Sequence, residues 1–250
     1  MFVELLIICP LVFLAGYVDA IAGGGGLISL PAYMIAGFQV HAAIATNKVS
    51  SSMGTTMSTY RYWHKGFVSF RKVLPIVVFS FCGSAIGAQL ALLISDLWFK
   101  ILMLIVLPPL AYYVTKEKDF DKLRMPYKKS KTFVLTALIA FVMGIYDGLY
   151  GPGTGTFLLL LLTGVAHLDL EHANGTSKAI NLSTNYAAAL VFIYNGRADI
   201  TVGLIAGAFS IFGNFLGARR FERHGGRSVR LPMILVLAVL FIKIIWELCV

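Results

Sequence analysis

The chain has 250 residues, of which 58% are hydrophobic and only 13% charged, with a formal net charge of +9. A soluble domain carries about 25% charged residues, so these proportions exclude an ordinary soluble enzyme or binding module and point to an all-α polytopic membrane protein. The basic residues cluster in short connectors between apolar blocks, which fits cytoplasmic loops under the positive-inside rule and excludes a nucleic-acid surface as the reason for the charge.

Breakers and charges divide the chain into ten apolar segments, near 2–22, 27–37, 42–63, 73–94, 98–115, 132–150, 155–166, 172–195, 200–218 and 231–249. A bilayer needs roughly 20 apolar residues per helical span, so 27–37 and 155–166 are too short to cross alone. Each follows a glycine-rich break: Gly23, Gly24, Gly25 and Gly26 in the first case, Gly151, Pro152, Gly153, Thr154 and Gly155 in the second. The first segment has Glu4 and no basic residue ahead of its apolar run. It is therefore expected to be retained rather than removed as a signal peptide. Cys9, Cys82 and Cys249 are scattered, with no C-x-x-C and no Cys/His ligand spacing, so neither a disulfide framework nor a metal site is expected, and nothing calls for a cofactor. His41, His64, His167, His172 and His224 fall near segment ends, where interfacial solvation accounts for them.

The longest polar stretch, 116–131, separates two halves that resemble each other. Phe13, Gly16, Asp19, Gly23, Gly25 and Leu30 match Phe141, Gly144, Asp147, Gly151, Gly153 and Leu158. After a two-residue shift, Ala43, Thr46, Lys48, Gly66, Gly83, Gly87 and Ala88 match Ala173, Thr176, Lys178, Gly196, Gly213, Gly217 and Ala218. The expected organisation is a first repeat over 1–115, a cytoplasmic linker over 116–131 and a second repeat over 132–250. Each repeat is a glycine-interrupted helical pair plus three transmembrane helices. The basic connectors 61–72, 116–131 and 219–230 belong on the cytoplasmic side. Their repeat-mates are nearly uncharged or mixed, so one side of the first repeat matches the opposite side of the second. That is the mark of inverted-topology repeats, and it places both termini on the extracellular or periplasmic side of an inner or plasma membrane.

Unwound backbone at bilayer depth must be buried in protein or line a wet cavity, and a half-helix starting after a break offers free N–H groups and a positive dipole end to an anion. Asp19 and Asp147 lie just before the breaks. Two roles are open to them: carrying a proton, or capping the free N–H groups of the break. Lys48 and Lys178 lie about two turns into their helices. Each shares a face with polar residues, Ser51 and Thr55 in one half, Asn181 and Asn185 in the other, with Asn174 extending the second stripe. Thr46, Asn47, Thr176 and Ser177 add donors near the helix starts. Such lysines with hydroxyl and amide donors suit an oxyanion; the competing reading is that the long side chains snorkel to the interface. The expected substrate-binding set is Gly23, Gly24, Gly25, Gly26, Thr46, Asn47, Lys48, Ser51, Gly151, Gly153, Thr154, Gly155, Thr176, Ser177, Lys178 and Asn181. The expected partners are a small anion and the lipid bilayer, without nucleic acid; a homo-oligomer is compatible with the sequence.

At these residues the chain resembles a known family. The stretch from Gly16, Tyr17, Val18 and Asp19 through Gly23–Gly26, then Thr46-Asn47-Lys48, then Tyr146-Asp147-Gly148 through Gly153, Thr154 and Gly155, is similar to the sulfite exporter TauE/SafE family, also called toluene-sulfonate uptake permeases. The resemblance covers nearly the whole chain. It implies a prokaryotic inner-membrane transporter, not an enzyme, handling sulfite, sulfonates, sulfoacetate or related organic anions, outward or inward. Two other readings remain at this point. One is an anion channel with the same central site. The other is an intramembrane aspartyl protease using Asp19 and Asp147, although its G-x-G-D partner motif is absent.

Overall fold

A computed structural model describes residues 2–94, 125–225, 228, 229 and 232. Its secondary structure is helical throughout, with no strand among the described residues. The elements are α1 (Phe2–Ala22), α2 (Gly26–Ile35), α3 (Val40–His64), α4 (Phe70–Leu93), α5 (Lys129–Leu149), α6 (Thr154–Gly164), α7 (Leu170–Tyr194) and α8 (Ile200–His224). They match eight of the ten expected segments; the segments at 98–115 and 231–249 lie outside the described residues. The largest difference is at the end of α8, which runs past residue 218 to His224 and closes at Gly225. Basic residues do not end a helix. Arg223 and His224 in its last turn interact favourably with the negative end of the helix dipole, so the basic connector begins inside the helix.

Helices α1, α4, α5 and α8 are long and apolar enough to cross a membrane. Their exposed side chains are large and apolar, among them Leu6 and Leu14 on α1, Val78 and Ile86 on α4, Leu138 and Val142 on α5, and Leu204 and Phe212 on α8. Helices α3 and α7 are equally long, with 25 residues each, but carry too many polar groups to face lipid. They are instead the inner helices. Thr46, Lys48, Ser50, Thr55 and Ser58 of α3 are buried, as are Asn174, Lys178, Asn181, Thr184 and Asn185 of α7.

Small residues set the packing. A Cβ added to Gly213 or Gly217 of α8 would meet the Phe13 or Tyr17 carbonyl of α1. A Cβ on Gly83 or Gly87 of α4 would likewise meet the Phe141 or Ile145 carbonyl of α5. The two contacts are equivalent under the repeat, each joining a helix of one half to a helix of the other, and in both pairs the residue numbers rise together, so the helices are parallel. Helix α8 also packs in parallel on α3, with Gly203 against Val49 and Gly207 against Met53. On the other side, Ser84 Oγ of α4 donates to Thr184 O of α7 at 2.7 Å, and Ser183 Oγ of α7 to Val77 O of α4 at 2.8 Å. The trio α1, α3 and α8 thus faces the trio α5, α7 and α4. Between them α3 runs antiparallel to α7: Lys48 meets Asn185 at 3.3 Å while Tyr62 meets Asn174 at 3.5 Å. Close backbone approach through glycine is how helices gain packing energy in lipid, where no hydrophobic force drives them together.

The ends are capped by local chemistry. Both inner helices close with a Schellman pattern. Phe67 N–H bonds Tyr62 O and Gly66 N–H bonds Trp63 O, while Arg197 N–H bonds Phe192 O and Gly196 N–H bonds Ile193 O. Asp169 caps α7 by accepting from His172 N–H at 3.0 Å, and Asp199 caps α8 by accepting from Val202 N–H at 2.9 Å. Burial pushes the Asp169 carboxyl up, but hydrogen bonds from the His172 backbone and ring outweigh it and hold the carboxyl below its ordinary range. At the far ends of α3 and α8, Arg61 grips Glu222 with two hydrogen bonds of 2.8 and 2.6 Å and lies over the Phe215 ring at 4.6 Å. This bidentate pair ties together two connectors that the charge pattern assigns to one side of the membrane.

Candidate functional site

The two glycine breaks meet at the centre of the molecule. Helix α1 ends at Ala22; Gly23 and Gly24 turn the chain at φ +75° and +81°, and α2 starts at Gly26. Helix α5 ends at Leu149; Gly151 and Gly153 turn the chain at φ +95° and +82°, and α6 starts at Thr154. A Cβ on Gly155 would come within 2.8 Å of the Gly23 Cα. Thr156 Oγ1 donates to Ala22 O at 3.1 Å, so one break is hydrogen-bonded to the other.

A helix that stops inside a membrane leaves carbonyls without partners. For α1 these are satisfied from α3 and α7. Tyr62 OH donates to Ala20 O at 2.6 Å and Asn174 Nδ2 to Ile21 O at 3.1 Å. In the second break Tyr146 OH donates to Pro152 O and Thr154 Oγ1 to Gly151 O, both at 2.7 Å. Asn174, expected to extend a polar stripe, is therefore a cap for α1.

The four ionisable residues pair across the halves. Lys48 Nζ lies 2.7 Å from Asp147 Oδ2, and Lys178 Nζ lies 2.8 Å from Asp19 Oδ2. Lys48, Lys178 and Asp147 are almost completely buried. The lysines do not snorkel; each reaches the acid of the other half. The two pairs differ in kind. Asp19 is held by a directed hydrogen bond from Lys178 and another from Gly25 N–H at 3.3 Å, so it does cap its break. Asp147 Oδ2 meets the Lys48 ammonium at 2.7 Å and has no other partner among the described residues. Lys48 also donates to Asn185 Oδ1 at 3.3 Å, and Asn185 Nδ2 to Asn181 Oδ1 at 3.4 Å.

Beside these pairs lies a cavity of about 40 Å³, measured as the space open to the centre of a water molecule. Its lining includes Gly24, Gly25, Gly26, Asn47, Lys48 and Ser51 from the first half, Gly151, Gly153, Thr154, Gly155 and Asn181 from the second, and both Asp19 and Asp147. Five residues of the expected set are elsewhere. Gly23 is packed against Gly155. Thr46 Oγ1 accepts from Asp199 N–H at 3.0 Å and secures the start of α8. Ser177 Oγ is spent on Asn174 O at 3.1 Å. Thr176 is buried but outside the lining, and Lys178 stands behind Asp19. A hydroxyl within reach of its own helix carbonyls or a neighbouring amide is used there before it can face a cavity.

Two lining residues of α8 were not expected, Ser210 and Asn214. Asn214 Nδ2 donates to Ser210 O at 3.0 Å, and its Oδ1 has no hydrogen-bond partner among the described residues. The signal available in the sequence was an amide inside an apolar span, a functional candidate by default. Its repeat-mate is Ser84, so the internal symmetry of the sequence does not mark it.

The family described as Sulfite exporter TauE/SafE matches residues 8–244. The chain is 30% identical to the Probable membrane transporter protein ORF9 of Sinorhizobium sp., over 93% of this chain and 89% of the relative. It is 32% identical to a Probable membrane transporter protein of Haemophilus influenzae, over 90% and 88% of the two chains. It is 30% identical to the Probable membrane transporter protein YfcA of Escherichia coli K12, over 94% and 87%. No solved structure matches it. With four membrane-length apolar helices and two polar inner ones among the described residues, this is a multi-pass membrane protein, and the chain belongs to the sulfite exporter TauE/SafE family of membrane transporters.

Proposed function

We propose that the chain is a secondary transporter that carries a small oxyanion of the sulfite and sulfonate class across the cytoplasmic membrane. The observation that carries this reading is the polar cavity beside two crossed helix breaks, with the Lys48 ammonium in its wall. The breaks aim the first turns of α2 and α6 at the cavity, and helix N-termini favour negative charge. The size supports a small substrate. A single water occupies about 10–15 Å³, so the cavity has room for an anion as small as sulfite or a short alkyl sulfonate.

The alternating-access part of the reading rests on inverted repeats, 1–115 and 132–250, joined by a cytoplasmic linker at 116–131. Its support is the opposed running of α3 and α7 and the exchange of repeat-mates in the packing of α1 on α8 and α5 on α4. In this arrangement both termini face outward. A reporter fused after residue 250 and active only outside the cytoplasm is the expected result; cytoplasmic activity overturns the topology.

Transport itself is tested in proteoliposomes by counterflow. Sulfite or methanesulfonate loaded inside is expected to accelerate uptake of the labelled anion. Uptake without this trans-stimulation is the behaviour of a channel and rejects the carrier. The protease reading fares worse, because a catalytic pair of acids shares a proton between neighbouring carboxyls, whereas here each carboxylate is occupied by a lysine.

A further inference from the structure

Among the described residues the charges around the cavity sum to zero: Lys48 and Lys178 against Asp19 and Asp147. A site built only to attract anions would carry unpaired cations. If a monoanion enters this one and nothing else changes, a net negative charge is left buried in the membrane. That state is costly to form and more costly to carry past the bilayer centre.

The two ion pairs are not equivalent. Lys48 and Asp147 both line the cavity, while Lys178 does not. Asp19 is fixed by two directed hydrogen bonds, from Lys178 and from Gly25 N–H. Asp147 Oδ2 meets only the Lys48 ammonium, at 2.7 Å, with no backbone N–H on it. Lys48 has a second partner in Asn185 Oδ1, so its ammonium stays tethered when it leaves the acid. One pair is built to hold and the other to open.

We propose that Lys48 and Asp147 form a proton-for-anion exchange pair: a proton from water neutralises Asp147, and the released Lys48 ammonium takes the anion in its place. This rests on the transporter reading above. The loaded site then holds Lys48 with the anion, neutral Asp147, and the Lys178–Asp19 pair unchanged. Its net charge is zero both loaded and empty, so both forms can reorient at similar electrostatic cost, and transport is electroneutral with one proton per monoanion. Among the described residues, the titratable groups facing Asp147 are Lys48 from α3, Asp19 from α1, Lys178 behind it on α7, Tyr146 on its own helix and Tyr150 at the break. No titratable group of α4 or α6 lines the cavity. Lys178 and Asp19 neutralise each other, which leaves the Lys48 charge as the one that Asp147 answers to.

The test is a proton count on the full-length purified protein. Methanesulfonate is the probe, since it stays a monoanion across the usable range and cannot itself take up the proton. Calorimetric titration in two buffers of different ionisation enthalpy is expected to show uptake of about one proton per anion bound, with affinity falling by up to about tenfold per pH unit as pH rises. Asp147→Asn mimics the neutral acid. It is expected to bind with no proton uptake and with an affinity independent of pH. Binding to the parent protein without proton uptake overturns the exchange pair and leaves the transporter reading intact, and this count needs no variant to fold. Undiminished proton uptake in Asp147→Asn also overturns it. If methanesulfonate, ethanesulfonate and sulfite all fail to bind the parent protein, the anion reading falls and takes the exchange pair with it.

Discussion

Lys48→Met is expected to destabilise the protein by about 3–5 kcal/mol, and Lys48→Met combined with Asp147→Asn to recover most of that loss. The reason is the pairing. Lys48 and Asp147 are both almost fully buried with 2.7 Å between their charges, so removing the cation leaves a buried carboxylate without its counter-charge. Removing both charges leaves an apolar stem and an amide, which the surrounding asparagines can hydrogen-bond. Acid has the same effect as the second substitution: it protonates the orphaned carboxyl, so the deficit of the single variant should shrink as pH falls. Thermal unfolding of the three proteins in one detergent, at two pH values, reads all of this. A Lys48→Met protein as stable as the parent at neutral pH would show that the ion pair does not form. Without the pairing the expectation reverses, because an unpaired intramembrane lysine is costly and its loss should stabilise.

That reversal marks where the sequence stops being informative. The helices, the two short half-helices and the breaks between them are local features, set by apolar runs and glycine clusters, and they stand out without knowledge of the fold. The duplication is legible because it is a comparison of the chain with itself. The polar stripes on α3 and α7 are legible because Lys48, Ser51 and Thr55, or Lys178, Asn181 and Asn185, recur at helical spacing. Which lysine meets which acid is another matter. It depends on α3 of the first half crossing α7 of the second, so that each lysine reaches the opposite half, and no spacing encodes that. Thr46 and Ser177 show a smaller limit of the same kind. As residue types they suit an oxyanion site, yet the geometry commits one to the start of α8 and the other to its own helix. Asn214 shows the converse. Its counterpart in the first half is a serine, so the internal symmetry does not mark it, and a transporter's two halves need not share the work equally.

Gly23→Ala is expected to cost about 2–6 kcal/mol, which is enough to prevent recovery of folded protein from a marginally stable chain. Two effects add. Gly23 has φ +75°, a left-handed conformation that strains any side chain by about 1–3 kcal/mol. Its Cβ would also strike the Gly155 carbonyl carbon and the Thr156 nitrogen, which are backbone atoms of the opposing break and cannot rotate away; overpacking of this kind adds about 1–3 kcal/mol. Gly37 separates the two effects. It has φ +97° but nothing within 4 Å of an added Cβ, so Gly37→Ala should show the strain alone. Gly25 supplies the opposite case: its φ of −53° is ordinary, but an added Cβ would lie 2.6 Å from Ala15 O and 2.7 Å from Asp19 Cβ, so Gly25→Ala should show the crowding and disturb Asp19. At Gly153 the backbone is left-handed and the neighbour is the Phe157 ring at 3.0 Å, a side chain that can shift. The expected order of loss is therefore Gly23 first, then Gly25 and Gly153, with Gly37 last, measured by thermal unfolding and by the yield of monodisperse protein. If Gly23→Ala matches Gly37→Ala, the two breaks do not press on each other. The crossing that gathers Lys48, Asp147 and Asp19 around one cavity would then have to be held by the inner helices α3 and α7 alone.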